Sequence, residues 1–240
     1  MCKIFSKKLK IFLAILFLTG LSVTGYFYFS KNISFTQEQS SFKFSHPDAR
    51  PEIIPGKIIT LKRLKPEYFK DYFEMANDPL VLKPLYWPAK LTLAWIKDYL
   101  EEEFEREKNK LTFIYMIFDN KENKLIGSAE IREPDPEDPG QFGCWINPKY
   151  WGGGRLQEAV KLLAQEYFKI YPNINKFNAH VEMWNLRSYF GLKKCGFKLV
   201  DTLHFKAEPS RYFLEYYKDN NTPVLNNSKD NILDPGEKNN

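Results

Sequence analysis

The stretch Asn147 to Leu163, NPKYWGGGRLQEAVKLL, sets three consecutive glycines behind Trp151 and opens at once into a helical pattern. Just upstream, QFGCWIN (141–147) alternates like a strand, so the glycines stand where a strand becomes a helix. Such a turn presents unpaired N–H groups at the positive end of the helix dipole. Glycines also let an anion approach the backbone closely. A tight strand-to-helix turn without a ligand would use the same residues. Two common phosphate loops are excluded: no Lys-Ser/Thr pair follows the glycines, and GxGxxG is absent because Leu156 and Gln157 occupy the later positions.

Outward from this point, strand and helix periods alternate in a fixed order. KIITLKRL (57–64) is strand-like, and PEYFKDYFEMAN (66–77) is a helix opened by proline. LAWIKDYLEEEFEREK (93–108) carries Leu93, Ile96, Leu100 and Phe104 at helical spacing. LTFIYMIFD and NKLIGSAEIRE are two strands joined by a polar hairpin connection, and PDPEDPG breaks the chain before the strand at 141. The helix read over 152–170 places Leu156, Val160, Leu163 and Tyr167 on one face. KFNAHVEMW is a strand, NLRSYFGLKKC a short helix, and FKLVDTLHF and SRYFLEYY close the domain. This order predicts an α+β domain, a mixed sheet with flanking helices rather than a repeated βαβ chain.

The ends differ from the middle. Residues 11–29 run without a charge behind Lys3, Lys7, Lys8 and Lys10. At 1.5 Å per residue that run spans a hydrocarbon core of roughly 30 Å, so 1–30 reads as a signal anchor, with a cleaved signal peptide as the alternative. Residues 31–56 read as a polar tether, 57–218 as the folded domain, and the Asn-rich 219–240 as an unstructured tail. With 35 basic and 30 acidic residues and no Arg-rich stripe, nucleic acid is not an expected partner. Cys2, Cys144 and Cys195 have neither metal-ligand nor disulfide-framework spacing, and no metal is expected.

The loop resembles the pyrophosphate motif of the GNAT acyltransferases, especially the branch acetylating ribosomal proteins, in which Asp/Asn-Pro is followed by WGxGxA and a Glu-Ala helix. NLRSYFGLKKCGF (185–197) resembles that family's later N-x-x-S…(K/R)-x-G-F signature. The resemblance covers roughly 57–218 and implies a splayed mixed sheet that holds acetyl-CoA or a related acyl-CoA, with transfer to an amine of a protein or small molecule. It implies that Trp151 and the amides of Gly152, Gly153, Gly154, Arg155 and Leu156 cradle the pyrophosphate, and that Cys144, Trp145 and Ile146 pair by backbone with the pantetheine arm. It also implies that Asn185 bonds the cofactor or caps the short helix, and that Ser188 lies near the thiol. Three positions depart from the pattern. Leu156 replaces a small loop residue, Leu192 stands where many relatives carry a tyrosine acid, and Gln141 replaces a common carboxylate.

Amine attack on a thioester requires a proton acceptor. Glu130 and Glu182, on central strands between apolar residues, are the candidate bases, since burial would raise a carboxylate pKa toward a useful range. A structural ion pair of Glu130 with Arg132 or Arg187 is the competing reading. Tyr189 is a candidate acid or a packing residue, and His180 shares the Glu182 face. Two other functions use the same residues: a degenerate acyl-CoA-binding domain tethered to a membrane through 11–29, and a siderophore-type hydroxylamine acyltransferase. The lysine bias at the N-terminus sends the domain across the membrane, whereas use of a cytoplasmic acyl-CoA keeps it inside. The expectation adopted is an anchored domain facing the cytoplasm.

Overall fold

A computed structural model describes residues 50–109, 111–132, 140–204 and 209–219. The anchor read over 11–29, most of the tether and all but the first residue of the tail read over 219–240 lie outside these residues. Among the described residues no helix is long and apolar enough to cross a membrane.

In chain order the elements are β1 (Ile53–Pro55), β2 (Ile59–Arg63), α1 (Phe69–Ala76), α2 (Pro79–Leu82), α3 (Leu93–Lys108), β3 (Thr112–Asp119), β4 (Lys124–Arg132), β5 (Gln141–Ile146), α4 (Arg155–Ile170), β6 (Lys176–Glu182), α5 (Leu186–Lys194), β7 (Lys198–Leu203) and β8 (Arg211–Tyr217). Short 3-10 turns at Pro66–Tyr68 and Pro148–Tyr150 lead into α1 and the glycine loop. The strands form one sheet in the order β1-β2-β3-β4-β5-β6-β8-β7. Every neighbouring pair is antiparallel except β5 and β6, which run parallel and share a single registered position, Gln141 with Asn178. From Phe142 onward β5 is paired with β4 on one side only, and the sheet splays.

β3 is buried along its whole length, as its nearly continuous apolar run requires of a strand covered on both faces. Directly opposed residues share a face, and the registers Ile114–Glu130–Gly143 and Met116–Ser128–Trp145 therefore define one face. α1 and α3 cover that face over the first half of the sheet, burying Tyr72, Ile96 and Leu100 against Ile114, Met116 and Trp145. α4 packs on the opposite face, where Tyr167 meets Phe113 and Phe177.

Two elements differ from the sequence reading. The tether does not extend to residue 56: Ile53, Ile54 and Pro55 pair with Lys62, Leu61 and Thr60, and Ile54 is buried. Arg50, also buried, donates to the carbonyl of Thr112 at 2.8 Å. A three-residue edge strand ending in proline has no readable period. The second difference is α2, a single turn capped by Asp78, whose side chain accepts from the Leu80 amide at 2.9 Å.

Candidate functional site

α4 begins at Arg155 rather than at residue 152, because Gly152, Gly153 and Gly154 all take left-handed backbone with φ of 83°, 60° and 81°. That conformation costs an ordinary L-residue about 1–2 kcal/mol, and glycine adopts it without strain. The Arg155 amide reaches the Gly152 carbonyl only at 3.4 Å, and the helix ladder starts with Glu158 to Gly154 at 2.9 Å. Among the described residues the amides of Gly152, Gly153, Gly154, Leu156 and Gln157 have no backbone acceptor. The loop is therefore a cluster of free donors at a helix N-terminus, the arrangement that suits an oxyanion.

Its surroundings hold it rigidly. The Glu158 carboxylate accepts the amides of Lys57, Ile58 and Ile59 at 2.7, 2.7 and 2.8 Å, clamping the entry of β2 to the first turn of α4. Burial alone would push Glu158 up, but these amides outweigh it and hold its pKa below the usual glutamate value. The Arg155 side chain turns away to Asp119, with both Nε and Nη2 2.8 Å from Oδ1. Burial pushes Asp119 up too, yet the Arg155 bond and the amides of Glu122 and Lys121 keep it low. The Arg155 Nη1 still lies against the loop, 2.9 Å from where a Cβ on Gly153 would stand. Trp151 anchors the other side: its indole donates to the Ile146 carbonyl at 2.7 Å, and the Arg187 guanidinium stacks 3.8 Å from its ring centroid.

Leu156, a bulky departure in the sequence, does not obstruct the loop. Its side chain lies against α5, where a methyl at Gly191 would stand 3.1 Å from Leu156 Cδ2. Leu192 is buried in the core. At the head of α5, Asn185 is an N-cap whose carbonyl oxygen accepts the Ser188 amide at 3.3 Å. The Ser188 hydroxyl makes no hydrogen bond among the described residues. Tyr189 is fully buried, 4.4 Å from the Tyr212 ring, on the face away from Glu182. The helix closes through Gly196 in left-handed backbone, with the Phe197 amide bonded to Leu192 at 3.1 Å.

The candidate carboxylates lie on one face of the splayed strands. Ser128, Glu130 and Arg132 of β4, Gln141, Gly143 and Trp145 of β5, and Asn178, His180 and Glu182 of β6 occupy one face by register. Glu130 is buried and its Oε1 accepts from Arg132 Nη2 at 3.0 Å, while Arg132 Nη1 reaches Gln141 Oε1 at 3.2 Å. The competing ion-pair reading of Glu130 holds for Arg132 and not for Arg187. Glu182 is also buried: Oε1 accepts from Arg211 Nε at 2.8 Å, and Oε2 has no partner among the described residues. Cys144 lies on the opposite face from Trp145, and burial pushes its thiol up. Neither Cys144 nor Cys195 is in a disulfide. Among the described residues no cluster of three metal-ligating side chains occurs.

Beside Glu130 the sequence reading missed an aromatic wall. Trp95 and Tyr99 of α3 stack at 5.5 Å and 5°, and Trp87 meets Tyr99 at 5.1 Å. Tyr72 meets Trp145 edge-on at 4.9 Å and accepts its indole N–H at 3.0 Å. The readable signal was the i,i+4 row Trp95, Tyr99, Glu103. It was missed because those positions look like ordinary core spacing.

The model of the acetyltransferase (GNAT) domain family matches residues 59–198. No curated protein matches the chain. Among solved structures, the microcin C7 self-immunity acetyltransferase MccE, in complex with acetyl-CoA and AMP, is 22% identical with a TM-score of 0.61, over 68% of this chain and 93% of that one. RimL, the ribosomal L7/L12 alpha-N-protein acetyltransferase in complex with coenzyme A, is 15% identical with a TM-score of 0.61, over 70% and 100%. The ribosomal-protein-S5-alanine acetyltransferase of Vibrio fischeri is 19% identical with a TM-score of 0.58, over 71% and 99%. At these identities the structures speak for the fold alone.

Proposed function

We propose, because the chain belongs to the GNAT acetyltransferase family, that it transfers an acetyl group from acetyl-CoA to a primary amine of a protein or small molecule. The observation that carries this reading is the loop of three left-handed glycines, whose free amides open α4 directly beside the one-sided part of β5. Gly152 to Leu156 would hold the pyrophosphate, with Trp151 fixing the loop's first residue. The unpaired side of Cys144 to Ile146 offers backbone groups to an amide-bearing arm, the Ile146 carbonyl being shared with the Trp151 indole, and the side-chain amide of Asn185 is available for the arm's carbonyls. The cosubstrate's thioester supplies the activated acetyl group, and the protein supplies position and proton transfer. MccE and RimL, whose structures carry acetyl-CoA and coenzyme A, support the same assignment.

Glu182 is the better base of the two candidates. It stands one strand across the splay from Trp145, is oriented by Arg211, and keeps one buried oxygen unpartnered, whereas Glu130 is tied through Arg132 to Gln141. A carboxylate held by one oxygen and open at the other can take a proton from an attacking amine. With Tyr189 packed away and Leu192 buried, Ser188 is the hydroxyl left to serve the departing thiolate. A positioned base contributes about 10²–10⁴-fold. Glu182→Gln should therefore lower kcat at neutral pH by at least about a hundredfold while leaving the calorimetric Kd for acetyl-CoA unchanged. Equal turnover with an unaltered pH profile would remove Glu182 from this role. Release of free thiol from acetyl-CoA with an amine panel separates an enzyme from a degenerate binding domain. Of the three departures behind the latter reading, Leu156 leaves the loop clear by turning toward Gly191, while Leu192 and Gln141 still supply no acid.

The placement of the domain follows from its cosubstrate. Acyl-CoA is a cytoplasmic metabolite, so a domain that uses it faces the cytoplasm, held near the bilayer by residues 11–29. In sealed cells the domain should resist added protease and become sensitive on permeabilisation. Cleavage from outside would overturn this placement.

A further inference from the structure

Glu103 has no part in the site described above. It lies on the inner side of α3, 8% exposed, with Oε2 buried and without a partner among the described residues. Oε1 meets Arg106 Nε only at 3.6 Å, an ion pair without a hydrogen bond. One helical turn back stands Tyr99, and one turn before that Trp95, so the carboxylate ends a row whose two rings are stacked. Trp87 closes this row, 5.5 Å from Trp95 and 5.1 Å from Tyr99, and lies 6.5 Å from Trp145. Trp145 is on the splayed part of β5, two residues from Gly143, which is paired with Glu130. A continuous line of aromatic rings thus runs from Glu103 to the strand along which the cosubstrate would lie.

An unpaired buried carboxylate oxygen is costly. A ring wall beside it favours a cation, through attraction of positive charge to the π faces. Burial and the nearby Glu130 push Glu103 up to about 7, which is the response of a carboxylate with too little positive charge around it. Arg132, held by Glu130, and Arg106 leave that need unmet.

We propose that Glu103, with the rings of Trp87, Trp95 and Tyr99, forms the subsite for a cationic group of the acceptor, so that the preferred acceptors carry a primary ammonium besides the amine that reacts. The inference rests on the acyltransferase reading for what the acceptor is, but its test does not. The ammonium donates to Glu103 Oε2 and its alkyl stem lies along the rings, which sets the acceptor chain toward Glu130 and Trp145.

Cadaverine is the probe, n-pentanol its uncharged counterpart of equal chain length, and the intrinsic tryptophan emission of the full chain the readout, with no acetyl-CoA present. Cadaverine should give a saturable change that n-pentanol does not. Glu103→Gln should weaken cadaverine binding at least tenfold, while Glu103→Asp, which keeps the charge, retains part of it and shows that the helix still folds. In steady-state assays Glu103→Gln should raise KM for cadaverine by a similar factor and leave the Kd for acetyl-CoA within twofold. Equal cadaverine binding by wild type and Glu103→Gln, or equal binding of n-pentanol, overturns the proposal even if acetyl transfer proceeds. Failure of acetyl-CoA to bind the wild type would instead strike the acyltransferase reading and leave the cadaverine titration to stand or fall on its own.

Discussion

Gly154→Val will leave a folded protein that has lost at least about a hundredfold of its affinity for acetyl-CoA, measured by calorimetry. Valine cannot adopt φ of 81° without strain, and its Cβ would stand 3.2 Å from Ile58 Cδ1. Relief requires the peptide to turn, and turning withdraws the amides of Gly154 and Arg155 from the loop. Hydrogen bonds to a charged group are worth about 1.5–3 kcal/mol each, so losing both removes about a hundredfold or more. The folding cost is smaller, about 1–3 kcal/mol for one strained residue, because the loop buries little apolar surface. A Gly154→Val protein that folds and binds acetyl-CoA as the wild type does would show that the loop amides do not hold the pyrophosphate.

The second large effect is on stability. Glu158→Ala leaves three amides at the start of β2 without their acceptor, and partial exposure of these bonds limits the loss to about 3 kcal/mol. For a domain of this size that lowers Tm by roughly 6–12 °C. The charge, not the shape, carries much of it, so Glu158→Gln should show a pH signature. The pKa of Glu158 is held low in the folded state. Its contribution is therefore present above the unfolded-state pKa and is lost as pH falls through the depressed folded value. Urea unfolding curves of wild type and Glu158→Gln should differ most at neutral pH and converge in acid. A gap that stays constant down to acid would mean that the ionised carboxylate is not what fastens β2.

Legibility in the sequence followed the strength of the local signal. α3 reads at its true bounds because Thr92 caps it, accepting the Trp95 amide, and its apolar positions keep helical spacing. α5 reads equally well between Asn185 and Gly196. The glycine loop could be located, but the helix start was placed three residues early, since periodicity alone does not report that all three glycines are left-handed. Glu130 and Glu182 could be named from their strands. Their separation into a fully tied and a half-tied carboxylate could not, because Arg132 is two residues from its partner while Arg211 is 29 away. Glu103 was invisible for a related reason. A glutamate in the run EEEFEREK looks solvated, and only the packing of α3 against β3 shows that two of the five, Glu103 and Glu107, are turned inward.

The contact between Leu156 and Gly191 also bears on how the two positions can be varied. A methyl on Gly191 would stand 3.1 Å from Leu156 Cδ2, so the two residues divide one space between α4 and α5. Shortening 156 alone would empty that seam, and enlarging 191 alone would crowd it. Changes at the two positions are therefore non-additive, and only the paired exchange keeps the seam filled.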